Sequence, residues 1–330
     1  MMPANPAPNP SIRRVITTHN CNKRSIIKID DLASNHSWRD KILNTLIWST
    51  DEMPVEIWSD DDFGDRQVTH QPPPRGTRIC YIDVLPENEP ILHHTATLDY
   101  IICLSGEIEM KLDNQLVVKL RSGELMVQQA TTHAWINRSS EPTRLAIVML
   151  DAKGKPGPGD VSPARMRPHE GTGAPPNPTI KRLVTAKNRN GQSKIAWQGP
   201  AKNHKWSGRG MVATLIWSTD ECPAEVWTDV DYGARALGTQ PPRNGSRFTI
   251  NDYPPGMPGR MHRTNTLDII VVMDGEIDME LDDGVEVHLN RGDIMIQQGT
   301  NHAWWNRGQK TCRLAIILLD AKEGGLQITA

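Results

Sequence analysis

The sequence lacks several features that mark whole classes of protein. It contains no run of basic residues, and 37 Lys and Arg nearly balance 39 Asp and Glu. Neither a nucleic-acid partner nor an anionic membrane surface is therefore expected. No stretch reaches the roughly 18 uninterrupted apolar residues of a membrane span. The 5 cysteines form no CxxC pair, which argues against a disulfide framework and against a thiolate zinc site.

Two further absences bear on location and on secondary structure. The first residues lack the charged and then apolar pattern of a secretory signal, which together with the unpaired cysteines predicts a cytoplasmic protein. Long helices are not expected, because Gly and Pro contribute 25 residues each and both interrupt helices.

The chain contains an internal duplication. The segment from Thr45 to Glu52 recurs letter for letter from Thr214 to Glu221, and repeats of this kind decide the architecture of a chain. Each copy, at about 140 residues, is long enough to bury its own core. The expected organisation is a tail at 1–11, a first domain at 12–153, a Gly- and Pro-rich linker at 154–179, a second domain at 180–322 and a tail at 323–330.

Within each copy the apolar pattern is that of short strands. Residues 276–281 alternate polar and apolar, residues 285–289 alternate again, and Asp-Gly or Gly-Asp pairs separate such segments. Strands at a spacing of roughly 8–12 residues are typical of an antiparallel sandwich or barrel. The sequence therefore predicts an all-β fold, with one short helix-like stretch at 38–43.

The residues that carry chemistry recur at matched places in the two copies. Each copy has the spacing His-x-Thr-x-x-x-Asp, a Gly seven residues after the Asp, and later a His followed four residues on by an Asn. These residues are His93, Thr95, Asp99, Gly106, His133 and Asn137 in the first copy, and His262, Thr264, Asp268, Gly275, His302 and Asn306 in the second.

This pattern resembles the two sequence motifs of the cupin superfamily, over about residues 76–150 and 245–319. The resemblance implies a bicupin with two double-stranded β-helix (jelly-roll) barrels. It also implies a metal held by two histidines and a Glu of the first motif and by the His of the second. In this chain Thr replaces the second of those histidines and Asp replaces the Glu, so only a His, Asp, His set is left in each copy.

Two interpretations of that set stay open. Two histidines and one carboxylate could hold one divalent metal, Fe, Mn, Ni or Zn, in each barrel. Alternatively, no metal is bound and the Asp hydrogen-bonds an imidazole that works as a general acid or base. Under either interpretation the catalytic or ligating candidates are His93, Asp99, His133, His262, Asp268 and His302.

Other matched side chains are candidates for contact with a substrate. The arginines could hold a carboxylate or an enolate, with solvated strand arginines as the alternative. The tryptophans either form a wall of a ligand pocket or pack in the core. The motif threonines complete the set. These candidates are the matched pairs Arg78 and Arg247, Trp135 and Trp304, and Thr95 and Thr264.

Further matched residues are predicted to shape the surroundings of the site. One of each pair Gln128–Gln129 and Gln297–Gln298 should face inward, because neighbouring strand residues face opposite sides. Two tryptophans of each copy, Trp48 and Trp58 and their counterparts Trp217 and Trp227, are predicted to pack between the barrels or across a barrel mouth.

The leading prediction is a small-molecule enzyme. It would be a lyase or isomerase that dehydrates or moves a proton on a hydroxy or oxo acid or a polyketide-like intermediate, with His as acid or base and Asp as its partner. A metal-dependent dioxygenase or decarboxylase and a non-catalytic ligand-binding or scaffold bicupin stay open, as does a homodimer. The second copy is favoured as the active one, because Gly299 tolerates positive φ where Ala130 would be strained.

Overall fold

The computed structural model describes residues 11–155, 177–188, 190–228 and 230–323. Within these ranges the regular structure consists of 23 β-strands, numbered β1–β23 along the chain, and one 3-10 turn at Asp282–Gly284. The all-β prediction is therefore confirmed. The predicted tails and linker lie almost wholly outside the described residues. In the part of the chain that is described, no helix is long and apolar enough to cross a membrane.

One eight-stranded sheet and one four-stranded sheet form the first barrel, with a shared apolar core between them. In spatial order the large sheet contains β14 (Ser193–Ala201), β13 (Asn177–Lys187), β10 (Leu125–Gln129), β7 (Thr97–Ser105), β12 (Thr143–Asp151), β5 (Thr77–Val84), β4 (Ile42–Thr50) and β3 (His36–Arg39). The small sheet contains β6 (His93–His94), β11 (Thr132–Ile136), β8 (Glu107–Leu112) and β9 (Val117–Arg121).

The second barrel repeats this plan with an eight-stranded and a three-stranded sheet. Its large sheet contains β15 (Asn203–Trp206), β16 (Val212–Thr219), β17 (Ser246–Tyr253), β23 (Cys312–Asp320), β18 (Thr266–Asp274), β21 (Ile294–Gln298), β1 (Arg13–His19) and β2 (Ser25–Leu32). Its small sheet contains β20 (Glu286–Asn290), β19 (Glu276–Glu280) and β22 (Ala303–Trp305).

The two copies exchange their first hairpins. Strand β1 of the first copy pairs in parallel with β21 of the second, and β13 of the second copy pairs in parallel with β10 of the first. The exchange closes edges that would otherwise expose unpaired backbone groups. Val15 and Leu183 from these hairpins pack into the core of the opposite barrel. The domain limits expected at 12–153 and 180–322 therefore do not match the strands that make up each sheet.

A third apolar core lies between the two large sheets. It contains side chains from both copies, among them Trp48, Tyr100, Trp217 and Phe248, which are almost fully buried. The prediction that Trp48 and Trp217 pack between the barrels is confirmed. Their counterparts Trp58 and Trp227 are half-buried against the same core.

The helix-like stretch expected at 38–43 is wrong, because these residues form a β-hairpin. Strand β3 ends at Arg39 and β4 begins at Ile42. The two residues between them, Asp40 and Lys41, have φ values of 50° and 63°. Positive φ at both central residues is the geometry of a tight two-residue hairpin turn. Asp40 and Lys41 therefore connect two strands and do not begin a helix.

Candidate functional site

A row of side chains crosses the large sheet of the first barrel. Asp99 on β7 lies directly opposite Gln128 on β10 and Met149 on β12. Met149 in turn lies opposite Arg78 on β5. Neighbours in register share one face of a sheet. Ile101, two residues after Asp99, packs in the barrel core, so this face points into the barrel.

The second barrel carries the same row with one exchange. Asp268 on β18 lies opposite Gln297 on β21 and Leu318 on β23, and Leu318 lies opposite Arg247 on β17. Leu318 stands where the first barrel has a methionine. The prediction that one glutamine of each pair faces inward holds for Gln128 and Gln297, which share a face with the site aspartates.

Two histidine rings lie in contact beside this row in each barrel, tilted by 57° and 52° to each other in the first and second barrel. His93 pairs with His133 across β6 and β11, and their ring centroids lie 4.3 Å apart. His262 and His302 form an isolated bridge with the same 4.3 Å separation. His133 and His302 are buried, whereas His93 and His262 are exposed at the rim. The second-motif histidine of each copy thus reaches the first-motif histidine, as the sequence predicts.

Backbone carbonyls fix the orientation of these rings. His133 Nδ1 donates to the Thr131 carbonyl at 3.0 Å, and His93 Nδ1 donates to the Ile91 carbonyl at 2.9 Å. A carbonyl can only accept, so the proton resides on Nδ1 and the lone pair on Nε2. The same contact joins His302 Nδ1 to a backbone carbonyl at 2.9 Å. Each buried histidine therefore presents Nε2 as an acceptor.

A glutamine, rather than a direct hydrogen bond, connects the aspartate to the buried histidine. The Gln128 amide nitrogen donates to Asp99 Oδ2 at 3.1 Å and contacts the His133 ring, at 3.1 Å from Nδ1 and 3.4 Å from the acceptor nitrogen Nε2. No hydrogen bond joins Asp99 to His133 among the described residues. The expected Asp–His pair is therefore replaced by Asp–Gln–His. The reason is the strand register, which puts Gln128 directly opposite Asp99.

The second barrel adds threonine hydroxyls to this arrangement. The Gln297 side chain contacts the His302 ring, as its counterpart contacts His133 in the first barrel. Thr264 Oγ1 donates to Asp268 Oδ2 at 3.4 Å, and Thr266 also donates to this carboxyl. In the first barrel Thr95 Oγ1 is buried and has no partner among the described residues. Of the two motif threonines, only Thr264 contacts the aspartate of its copy.

Burial shifts the ionisation of both site groups towards their neutral forms. It raises the pKa of Asp99 and that of Asp268 to about 7. Burial and, to a smaller extent, the neighbouring first-motif histidine lower the pKa of His133 and that of His302 to about 3. At neutral pH the buried imidazoles are therefore uncharged, whereas the carboxyls are close to half protonated.

The matched arginines face the barrel interior without a carboxylate partner. Arg78 is only 4% exposed. Its Nη1 donates to Cys80 Sγ at 3.4 Å and to Met149 Sδ at 3.7 Å, and its Nε has no partner among the described residues. The half-buried Arg247 likewise has an unpartnered Nε, and burial lowers its pKa to about 10. The alternative of a solvated strand arginine is wrong for Arg78.

The tryptophans after the motif histidines lie in the barrel cores beside those histidines. The Trp135 ring centroid is 5.6 Å from that of His133, and the Trp304 centroid is 6.0 Å from that of His302. Both tryptophans are buried among apolar side chains. They pack in the core and contact the site by a ring edge.

The donor set does not fit the metal site that the resemblance implies. The two Nε2 atoms of each histidine pair are suitable ligands, but Asp99 is engaged by Gln128 and Asp268 by threonines. Across residues 11–155, 177–188, 190–228 and 230–323, no group of three or more His, Cys, Asp or Glu side chains could hold a metal ion. A two-His-one-carboxylate site needs three such ligands around one point, so the described side chains do not form that site.

Backbone strain distinguishes the turns that lead to the two buried histidines. Ala130 and Gly299 both have positive φ, 48° and 58°, as the sequence predicts. Replacing Ala130 with Gly should stabilise the fold by about 0.5–1 kcal/mol, because alanine is strained in this region. Gly299→Ala should destabilise it by about 1–3 kcal/mol, since a Cβ there would lie 2.6 Å from Ile57 Cδ1. Urea denaturation measures both, and wild-type stability in Gly299→Ala would contradict the strain argument.

The comparison with known proteins agrees with the barrel geometry. The family described as Cupin domain matches residues 250–319. The cupin-domain-containing oxidoreductase virC of Hypocrea virens is 32% identical to this chain over 157 residues, which is 44% of this chain and 80% of virC. The chain belongs to the cupin superfamily.

Two other proteins are similar to this cupin. Phomopsin biosynthesis cluster protein C' of Diaporthe leptostromiformis is 47% identical over 114 residues, which is 33% of this chain and 60% of that protein. Among solved structures, AerE from Microcystis aeruginosa aligns with 86% of this chain and 94% of its own, with a TM-score of 0.46 and 12% identity. At these values the likeness to AerE says nothing about activity.

Proposed function

We propose that this cupin is a small-molecule enzyme, a lyase or isomerase that moves a proton on a hydroxy or oxo acid. The observation that carries the proposal is the repeated interior row. In both barrels it combines a guanidinium without a carboxylate partner and a carboxyl whose pKa is about 7, beside a neutral imidazole. The name of a relative, a biosynthesis cluster protein, supports chemistry on small molecules.

Arg78 and Arg247 would hold the anionic end of the substrate. A buried cation without a counter-ion is costly, and a substrate carboxylate or enolate oxygen supplies the missing partner. The planar guanidinium can donate two parallel hydrogen bonds to such a group. In the first barrel Met149 lies between Arg78 and Asp99, so an apolar surface separates the anion-binding end from the proton-transfer end.

The aspartates are better suited to the proton transfer than the histidines. A general acid or base works best when its pKa lies near the operating pH. Asp99 meets this condition at about 7, whereas His133 at about 3 does not. Asp99 Oδ1 has no hydrogen-bond partner among the described residues and would take a proton from the carbon next to the substrate carbonyl. His133 Nε2 would accept a hydrogen bond from a substrate hydroxyl.

Replacing both interior arginines tests the proposal. NMR would follow deuterium incorporation at C3 of 2-oxobutanoate, and dehydration of a panel of 2- and 3-hydroxy acids. Arg78→Met with Arg247→Met should lower these rates by about 100-fold or more, because each lost charged contact weakens the transition state by several kcal/mol. The same double variant should melt at a higher temperature than wild type, because a buried unpaired charge is removed.

A third arginine provides the matched control. Arg144 on β12 donates to both oxygens of Asp83, at 2.7 and 2.9 Å, and it lies away from the row. Arg144→Met should lower stability and leave the rates unchanged. Wild-type rates in the double arginine variant, or no turnover of any acid by the wild-type chain, would refute the proposal.

A second candidate function is an oxidoreductase, which the names of the cupin-domain-containing oxidoreductases virC and, from Neurospora crassa, srdD favour. Elemental analysis of protein purified without a metal-affinity column, together with oxygen uptake during turnover, separates the two candidates. One redox metal per barrel and oxygen consumption would favour the oxidoreductase. The cytoplasmic location and a homodimer remain predictions from the sequence.

A further inference from the structure

The turn that precedes the buried histidine of the second barrel is bonded to the hairpin of the first copy. Thr300 Oγ1 and Thr17 Oγ1 share a hydrogen bond of 2.9 Å, and the Asn301 backbone N–H donates to Ser25 Oγ at 2.7 Å. Thr300 and Asn301 are the two residues immediately before His302. The other copy therefore contacts the chain directly before this histidine.

The first barrel shows the reciprocal arrangement. Thr131 Oγ1 and Thr185 Oγ1 share a hydrogen bond of 3.1 Å, and the Thr132 backbone N–H donates to Ser193 Oγ at 3.0 Å. Thr185 and Ser193 belong to β13 and β14 of the second copy. The same pair of contacts thus occurs twice, each time between a histidine turn and the exchanged hairpin.

The threonine held by the hairpin is also the residue that orients the histidine ring. The Thr300 carbonyl accepts from His302 Nδ1 at 2.9 Å, and the Thr131 carbonyl accepts from His133 Nδ1 at 3.0 Å. All the threonine hydroxyls involved are buried. A buried hydroxyl that loses its partner is costly, so removing one partner shifts the threonine whose carbonyl fixes the ring.

A carboxylate ties the hairpin and the turn together in the second barrel. Asp282 Oδ2 accepts from the Ser25 backbone N–H and Asp282 Oδ1 accepts from the Asn301 side chain, both at 2.8 Å. In the first barrel Asp113 Oδ1 accepts from the Ser193 backbone N–H at 3.0 Å. In each barrel the exchanged hairpin is thus bonded both to the turn before the buried histidine and to the loop that contains this aspartate. These contacts restrict the position of the buried histidine.

We propose that the two sites are assembled crosswise: Thr17 and Ser25 position His302, and Thr185 and Ser193 position His133. Each copy then depends on residues of the other copy to position its buried histidine. The inference rests on the proposed function for the importance of these histidines, but its principal test needs no turnover.

The test is histidine NMR on the full chain labelled with ¹⁵N in its histidines, with His302→Ala and His133→Ala used for assignment. Thr17→Val removes the hydroxyl and keeps the shape. It should change the His302 ring from a single Nδ1–H tautomer to an averaged signal and leave the His133 signal unchanged. Thr185→Val should do the reverse. The conservative Thr17→Ser should restore the wild-type His302 signal, which a merely structural loss would not do.

Ser25→Ala and Ser193→Ala provide the same comparison without changing a strand interior, and they decide the question if a threonine variant does not fold. Each should perturb only the histidine of the other copy. Perturbation of the histidine in the variant's own copy, equal perturbation of both, or unchanged spectra would overturn the inference.

Turnover gives a second readout in chains with one working site. Asp99→Asn disables the first site, so only the site of the second barrel works. In that background Thr17→Val should lower the rate by about 10- to 100-fold, mainly in kcat. Asp268→Asn disables the second site, so only the first site works, and there Thr17→Val should have no effect on the rate. If wild type turns over none of the acids, the proposed function fails, while the histidine spectra still decide the crosswise assembly.

Discussion

Replacing Asp99 and Asp268 together with Asn should lower the rate of proton exchange by about 100- to 10,000-fold. Asparagine has the shape of aspartate and at position 99 can keep the hydrogen bond with Gln128, but it cannot take a proton. The NMR exchange assay on 2-oxobutanoate measures the loss. Each single variant should keep part of the rate, because the other barrel still has its carboxyl.

The same substitutions should stabilise the protein above neutral pH. Burial raises the pKa of Asp99 from its ordinary 3.8 to about 7, so between these values the folded state binds more protons than the unfolded state. Stability therefore falls as the pH rises from about 4 to about 7 and levels off above that. Asp99→Asn removes the contribution of Asp99 to this dependence, and Asp268→Asn removes that of Asp268. Urea midpoints should be higher for the variant than for wild type at pH 8 and similar near pH 4.

Asp83 provides a matched control on β5, which lies in the same sheet but is separated from β7 by β12. It is paired with Arg144, so Asp83→Asn should lower stability at pH 8 and leave the exchange rate unchanged. A variant of Asp99 that keeps the wild-type rate, or that is less stable than wild type at pH 8, would contradict the role proposed for the buried carboxyl.

The sequence alone predicts those features of the site that depend on local pattern. The alternation of strand residues predicts that one glutamine of each pair faces inward, and the matched motifs put His93 and His133 in one set. Each of these inferences needs only the pattern along one strand or the family spacing. The positive φ of Ala130 is also a local inference, from a glycine at the matched position.

Non-local pairing explains what the sequence could not predict. Strands β1 and β13 are copies of one pattern, and nothing in that pattern specifies whether each pairs within its own copy or with the other. The Asp–Gln–His connection depends in the same way on the register between β7 and β10. Charge pairing and burial then set the pKa values, and these require the positions of side chains from several strands.

The stability of both barrels should depend on the core that they share. Trp48 is fully buried there, with the Phe63 ring edge-on at 5.4 Å. Trp48→Ala should lower the free energy of unfolding by about 3–5 kcal/mol, because it leaves a cavity of indole size. Trp206 lies on the edge strand β15 and is 72% exposed, so Trp206→Ala should change stability by less than about 0.5 kcal/mol.

The exchange of hairpins leads to a further prediction for the Trp48→Ala variant. Each hairpin contributes to the core of the opposite barrel. Destabilising the shared core should therefore cause both barrels to unfold at the same urea concentration. The His133 and His302 ring signals report on the first and second barrel, and in Trp48→Ala both should disappear at one lowered midpoint. Coincident transitions indicate a single cooperative unit. If only the His133 signal moved to lower urea, the barrels would unfold independently, and neither the shared core nor the exchange would couple their stabilities.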